Sequence, residues 1–200
     1  TNIKAVPGKT LTFTASDLIY QDKYKKLELI PFFRLHDSRY IIYWLTETPE
    51  RISEMQKKSA ADEASHQQLA ASTLDLITPG EQQPESDHNF KGEKTDTGMF
   101  KERHFRNGKG YFSYDLKNNT LEARKLRITY FGADKNRNFD IFVNGILAAS
   151  INMDGSEGNQ FMDKIIELPA AVLNAKIVQV QFKAKPNSSI TGIYEVRLLR

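Results

Sequence analysis

The sequence predicts a mainly β protein, an antiparallel β-sandwich or barrel with one surface connector helix. Three observations carry that prediction. The last third of the chain alternates apolar and polar residues in Leu126–Phe131, Phe139–Val143, Ile177–Lys183 and Ile193–Leu199. A period of two means one face buried and one face wet. The dipeptide Asn144-Gly145 separates Phe139–Val143 from Ile146–Ile151, and Asn-Gly is the strongest short hairpin signal because both turn positions need positive φ. The one extended helical stretch begins at Thr48-Pro49-Glu50. Several short strands divided by turn signals point to a sandwich or barrel.

Taken in order, residues 1–46 read as β-structure. Leu11–Ala15 alternates after the Pro7-Gly8 turn, and Leu27-Glu28-Leu29 leads to Pro31, which suits a strand end. Tyr40–Leu45 is an apolar run short enough for a buried strand or core segment. Residues 47–72 read as a connector helix, with a hydroxyl cap at Thr48, proline at the first helical position and Glu50 in the first turn. Its apolar stripe is thin (Ile52, Met55, Ala64, Leu69), which suits a surface or bridging helix. Residues 73–200 form the main β-region, opening at Leu74–Ile77. A polar stretch with turn residues follows from Thr78 to Gly110, then a strand at Tyr111–Leu116 with Phe112, Tyr114 and Leu116 on one face. Asn118-Asn119 marks a turn, and Pro169–Leu173 a short helical turn.

Composition removes several function classes. The 200 residues are 40% hydrophobic and 26% charged, with a formal net charge of +3. Lys and Arg are dispersed, leaving no nucleic-acid footprint; the run Lys23, Lys25 and Lys26 reads as a solvated strand edge. The chain has no cysteine, so disulfides, thiolate zinc sites and thiol nucleophiles are excluded. No apolar run approaches the ~18 residues of a membrane helix. The chain begins at Thr1 in mid-pattern, like a fragment or a processed product.

The densest polar chemistry lies in Gly80–His88, where Glu81, Glu85, Asp87 and His88 share one loop. Carboxylates and amides bind hard cations and sugar hydroxyls alike, so the loop is a candidate glycan contact that could also hold a structural calcium ion. The other reading is a polar loop satisfying backbone groups at a sheet edge. Asp134–Asp140 alternates Asp and Asn like the start of a calcium loop. It has Phe139 where glycine belongs and Gly145 where glutamate belongs, so it reads as a polar inter-strand turn. Phe90, Phe100, Phe105 and Phe161 fall outside the clear strands and are expected to pack under loops. The four histidines are scattered and form no metal-binding pattern; no nucleophile elbow or phosphate-cradling glycine loop is present.

Longer blocks carry a resemblance. Leu29-Ile-Pro-Phe-Phe-Arg-Leu-His-Asp-Ser-Arg-Tyr-Ile-Ile-Tyr-Trp44 resembles the close of the middle β-domain in β-L-arabinofuranosidase-type glycoside hydrolases (glycoside hydrolase family 127 type). Thr73–His88 resembles the opening of that family's C-terminal β-sandwich. Gly110–Tyr114, Tyr130–Gly132, Phe139–Gly145 and Gly192–Leu198 are similar to its later landmarks. The resemblance implies a jelly-roll, galactose-binding-like sandwich for 73–200, preceded by the remnant of another β-domain in 1–46. Catalysis in that family belongs to an upstream helical barrel with a zinc-bound cysteine nucleophile and a glutamate acid/base. No catalytic residue carries over, because this chain has neither cysteine nor barrel. The implied role is a non-catalytic accessory sandwich that braces the barrel of a parent enzyme and contacts plant or bacterial glycans, in a periplasmic or extracellular setting. An autonomous carbohydrate-binding module is the alternative, and an independent hydrolase the third reading.

Overall fold

Alternation becomes strand throughout the second half of the chain. In the computed structural model, which describes residues 3–16, 26–31, 34 and 48–200, the chain divides into two compact units, Thr1–Met55 and Gln56–Arg200.

The first unit holds a three-stranded antiparallel sheet of β1 (Ile3–Ala5), β2 (Phe13–Ser16) and β3 (Lys26–Leu29). Val6 N–H donates to the Thr12 carbonyl at 2.9 Å, closing the turn that Gly8 makes with φ +76°. The apolar run Tyr40–Leu45, most of the block ending at Trp44, and Lys23 and Lys25 lie outside the described residues.

Helix α1 (Pro49–Ser72) starts where Thr48 caps it: Arg51 N–H donates to the Thr48 hydroxyl at 3.3 Å and Ile52 N–H to its carbonyl at 3.0 Å. The boundary between the units falls inside this helix. Ile52 and Met55 stay exposed, and Leu69 alone of the four stripe residues is half-buried.

The second unit is an antiparallel β-sandwich. Its strands are β4 (Thr73–Ile77), β5 (Lys91–Phe100), β6 (Arg103–Lys117), β7 (Lys125–Phe131), β8 (Lys135–Val143), β9 (Ile146–Asp154), β10 (Phe161–Glu167), β11 (Ile177–Ala184) and β12 (Ile190–Leu199). A short helix α2 (Gln82–Asp87) and a 3₁₀ turn at Ala170–Val172 complete it. The strand path runs β10–β7–β12–β6–β11–β8–β9. It folds into two layers because β6 changes partners along its length. Arg106 and Gly108 pair with Ile193 and Ile190 of β12, whereas Tyr111–Lys117 pair with Lys183–Ile177 of β11. The first layer is thus β10, β7, β12, β4 and the start of β6; the second is the end of β6, β11, β8 and β9.

Glycines make that corner possible. A Cβ on Gly110 would lie 2.1 Å from the Glu93 carbonyl oxygen, and one on Gly108 2.7 Å from that of Lys94. Strand β5 follows β6 around the bend by a register shift between Glu93 and Thr95, where Lys94 has φ 53°.

Inward residues of both layers form one core. Leu126 and Ile128 of β7 and Val196 and Leu198 of β12 meet Ile141 and Val143 of β8 and Val178 and Val180 of β11, each at most 1% exposed. Phe112 stacks on Phe182 at 5.0 Å between ring centroids. Burying each such side chain contributes about 1.5–3 kcal/mol. Asn144 and Gly145 take φ 47° and 78°, joining β8 to β9 as the hairpin pattern requires.

Two expectations differ from the structure. The stretch 78–110 is not turn throughout, because it contains α2, all of β5 and the first half of β6. Its polar, glycine-containing pattern hides the strand, since β5 lies along the edge of β6 with most side chains in solvent. Likewise 134–140 is largely strand β8 rather than a turn, with a bulge at Asn136 (φ 57°) that interrupts the alternation. Among the described residues, no helix is long and apolar enough to cross a membrane.

Candidate functional site

The segment Gly80–His88 splits between inside and outside. Pro84 and the turn of α2 direct Glu85 and His88 inward, 7% and 8% exposed. Glu85 accepts two hydrogen bonds from the Arg106 guanidinium, at 2.7 Å from Nε and 2.6 Å from Nη2. Gly80 N–H (2.9 Å) and the Tyr114 hydroxyl (2.8 Å) donate to the same carboxylate. Arg106 also donates to Thr95 at 2.7 Å and lies 4.0 Å over the Phe90 ring. Burial alone would raise the Glu85 carboxyl, but these donors outweigh it and hold it below the ordinary glutamate value. Tyr114 is pushed up, first by burial and then by the facing carboxylate.

His88 faces Asp75 of β4 through Nε2 at 3.3 Å, while Nδ1 meets the Pro84 carbonyl at 2.7 Å. The Asp75 contact raises the imidazole against the opposing effect of burial. Asp75 also accepts from the Lys117 backbone, tying β4 to the end of β6. Glu81, by contrast, is half-exposed at the start of α2, and Asp87 is exposed and accepts from Gln83 at 2.8 Å. The four residues therefore do not converge on one point. Among the described residues, no group of three or more His, Asp or Glu side chains is gathered as a cation would require.

The outer face of the first layer carries a second constellation. Cross-strand register places Phe131, Thr129 and Arg127 of β7 beside Phe161, Asp163 and Ile165 of β10. Glu195 and Arg197 of β12 stand opposite Thr129 and Arg127. Arg127 bridges both acids, donating to Glu195 at 2.7 Å and to Asp163 at 2.6 Å. Thr129 donates to Asp163 at 2.6 Å, and Arg197 forks onto Glu195 at 2.6 and 3.0 Å. Such bidentate charge-assisted contacts fix the side chains as a planar, preorganised surface.

An aromatic row adjoins this network. Phe100, Phe131, Phe161, Tyr194 and Phe105 follow one another with centroid separations of 4.8, 5.5, 4.8 and 5.4 Å. A bulge between Ile193 and Glu195 turns Tyr194 to this outer face, and burial with the nearby Asp134 pushes its hydroxyl up to about 12. The Arg103 guanidinium lies 4.6 Å over Phe161. These phenylalanines sit on strands or strand ends, so packing under loops is corrected for Phe100, Phe105 and Phe161. Network and row meet in a recess of about 410 Å³ lined by Arg103, Arg127, Phe161, Asp163, Glu195 and Arg197, with His66, Leu69 and Ala70 of α1 at its wall. Each carboxylate oxygen used in the network accepts from arginine or threonine, so the recess offers donors and acceptors rather than an open acid.

A family model described as a family of unknown function, DUF6805, matches residues 68–199. The chain belongs to the DUF6805 family. A second model, DUF4986, a domain of unknown function, matches residues 1–46. The DUF6805 match contains every strand of the sandwich, the inward network of Glu85 and all of the recess but His66. Curated protein sequences give no match.

Solved structures similar to this DUF6805 chain include a family 35 carbohydrate-binding module from an environmental isolate. It is 14% identical at a TM-score of 0.48, over 62% of this chain and 92% of that one. An exo-β-1,3-galactanase from Phanerochaete chrysosporium with β-1,3-galactotriose is 12% identical at 0.43, over 64% of this chain and 29% of the galactanase. The ANX1 ectodomain from Arabidopsis thaliana is 10% identical at 0.46, over 62% and 40%. The DUF6805 chain thus spans well under half of two of these three.

Sequence reasoning missed the recess because its residues come from four strands and a helix end. A signal was nonetheless present: Arg127, Thr129, Glu195 and Arg197 are the polar positions of alternating strands. Two adjacent strands with arginine and acid on their wet faces mark a charged surface once the register is known.

Proposed function

We propose that this protein is the non-catalytic β-sandwich tail of a β-L-arabinofuranosidase-type glycoside hydrolase. It braces the helical barrel of the parent enzyme and contacts glycan through the outer face of its first layer, outside the cytoplasm. The observation that carries the glycan contact is the recess of about 410 Å³, where arginine, carboxylate and threonine alternate beside Phe161. Guanidinium N–H groups donate to sugar oxygens, carboxylates accept from hydroxyls, and an aromatic ring takes the apolar face of a sugar. The strand-block resemblance supports the enzyme context.

Titration of the whole chain with neutral arabino- and galacto-oligosaccharides, followed by NMR or calorimetry, tests this reading. Binding is expected and should be lost in Phe161→Ala and Arg127→Gln. Aryl arabinofuranosides should not be turned over. Silence across a neutral glycan array, or hydrolysis that persists through stringent purification, sinks the proposal.

A second reading, an autonomous carbohydrate-binding module, draws on half-exposed Glu81 and exposed Asp87 in the segment that also holds Glu85 and His88. In that reading they meet a sugar hydroxyl or a structural calcium ion. A melting temperature unmoved by calcium, with glycan binding unchanged in Glu81→Gln/Asp87→Asn, rejects it.

A further inference from the structure

A second groove lies apart from this recess and shares no lining residue with it. Two adjoining depressions, about 940 and 370 Å³, have Lys94, Lys109 and Ser189 in common. Lys183, Lys185 and Arg137 complete the cationic border, against two carboxylates, Asp96 and Asp140. A chain of net charge +3 thus concentrates five cations around one continuous trough.

Internal pairing takes up only part of this charge. Lys185 pairs with Asp140 at 3.2 Å and Lys94 with the exposed Glu93 at 3.7 Å. Lys109 and Lys183 have no ion-pair partner among the described residues. Arg137 donates to Ser189 at 2.6 Å while its Nε is buried without an acceptor.

The backbone that presents these groups is itself unusual. Lys94, Asn136 and Asn187 line the groove with φ of 53°, 57° and 60°. The left-handed region is routine for asparagine and costly for lysine, so Lys94 is the position held there against its preference. The two corner glycines let β5 approach β6 closely enough to bring Lys94 beside Lys109.

We propose that this groove binds an acidic glycan chain, one carrying uronate or sulfate groups between stretches of free hydroxyls. Lysines and Arg137 neutralise the acid groups; Asn136, Asn187 and Ser188 meet hydroxyls and ring oxygens. Asp96 and Asp140 accept from hydroxyls and disfavour nucleic acid, whose phosphates recur as closely as one charge per about 1.7 Å of duplex. The inference stands on its own charges and is independent of the neutral-glycan recess.

The test uses the whole chain with oligogalacturonate, chondroitin sulfate, a neutral galactan oligosaccharide and single-stranded DNA of equal charge, at low and moderate salt. Oligogalacturonate or chondroitin sulfate should bind, and the stronger of the two identifies the acid group. Lys94→Gln/Lys109→Gln/Lys183→Gln should weaken that binding about tenfold or more with the melting temperature unchanged, since the three exposed charges supply a large part of the groove's salt-screened attraction and hold no strand in place. Phe161→Ala should leave it intact, which separates this groove from the recess. DNA binding as tight as the acidic glycan, acidic-glycan binding untouched by the triple substitution, or no binding at low salt would each overturn the assignment.

Discussion

Replacing Glu85 by glutamine tests whether the inward half of the 80–88 segment locks the sandwich. The Glu85 and Arg106 side chains are 9% and 11% exposed, and two hydrogen bonds join them at 2.7 and 2.6 Å. Breaking a buried pair leaves its partner uncompensated and costs about 3–5 kcal/mol. Glutamine keeps the volume and one acceptor oxygen, which Gly80 and Tyr114 can still use. Its amide group then faces the Arg106 Nη2 donor, so the loss falls near the lower end, about 3 kcal/mol. For a chain of this size each kcal/mol moves the midpoint by about 2–4 °C, giving a drop of about 6–12 °C. Circular dichroism melts of wild type, Glu85→Gln, Arg106→Met and the double variant measure it. The double variant should lose less than the sum of the singles, because the two groups are one interaction. The acid limb adds a sign. Glu85 is lowered in the fold, so its stabilisation is complete above the ordinary glutamate range, about 4.3, and disappears as pH falls through its folded value. The variant should therefore lose its disadvantage in acid. A midpoint within about 2 °C of wild type, or strict additivity in the double variant, would falsify the coupling.

Further outcomes are specific. Gly110→Ala must place a Cβ 2.1 Å from the Glu93 carbonyl; overpacking of this kind costs about 1–3 kcal/mol, and urea titration should show a larger loss than Gly158→Ala, where nothing lies within 4 Å and only the φ of +87° is strained. His88 is raised by Asp75, so its contribution is present below about 6.5 and fades as pH rises through the folded value; melts of His88→Gln against wild type should converge on the alkaline side. Phe161→Ala should abolish neutral-oligosaccharide chemical shifts at Arg127 and Glu195 while leaving the acidic-glycan response untouched.

The sandwich was legible where burial differs between the two faces of a strand. Phe112, Tyr114 and Leu116 alternate and are fully buried, and Asn144-Gly145 turns as its φ angles demand. Strand β5 was not legible, because an edge strand with few inward side chains has no period to read. The bulge at Asn136 broke the alternation of β8, while the one at Tyr194 turned an aromatic ring to the outer face of a strand that still read as alternating. Of the 80–88 segment, polar character could be read but not direction. The inward course of Glu85 depends on Arg106, twenty-one positions away, and on a tyrosine whose hydroxyl had no visible need of a partner. The recess and the basic groove are products of register between distant strands, which local pattern does not encode.

Strand β6, by belonging to both layers, removes a route of stepwise opening. Neither layer can peel away without breaking the hydrogen bonds that β6 gives to β12 or to β11. Amides on either side of the corner should then exchange with solvent as a single kinetic class, and a nick in that strand should dissolve the entire unit rather than free half of it.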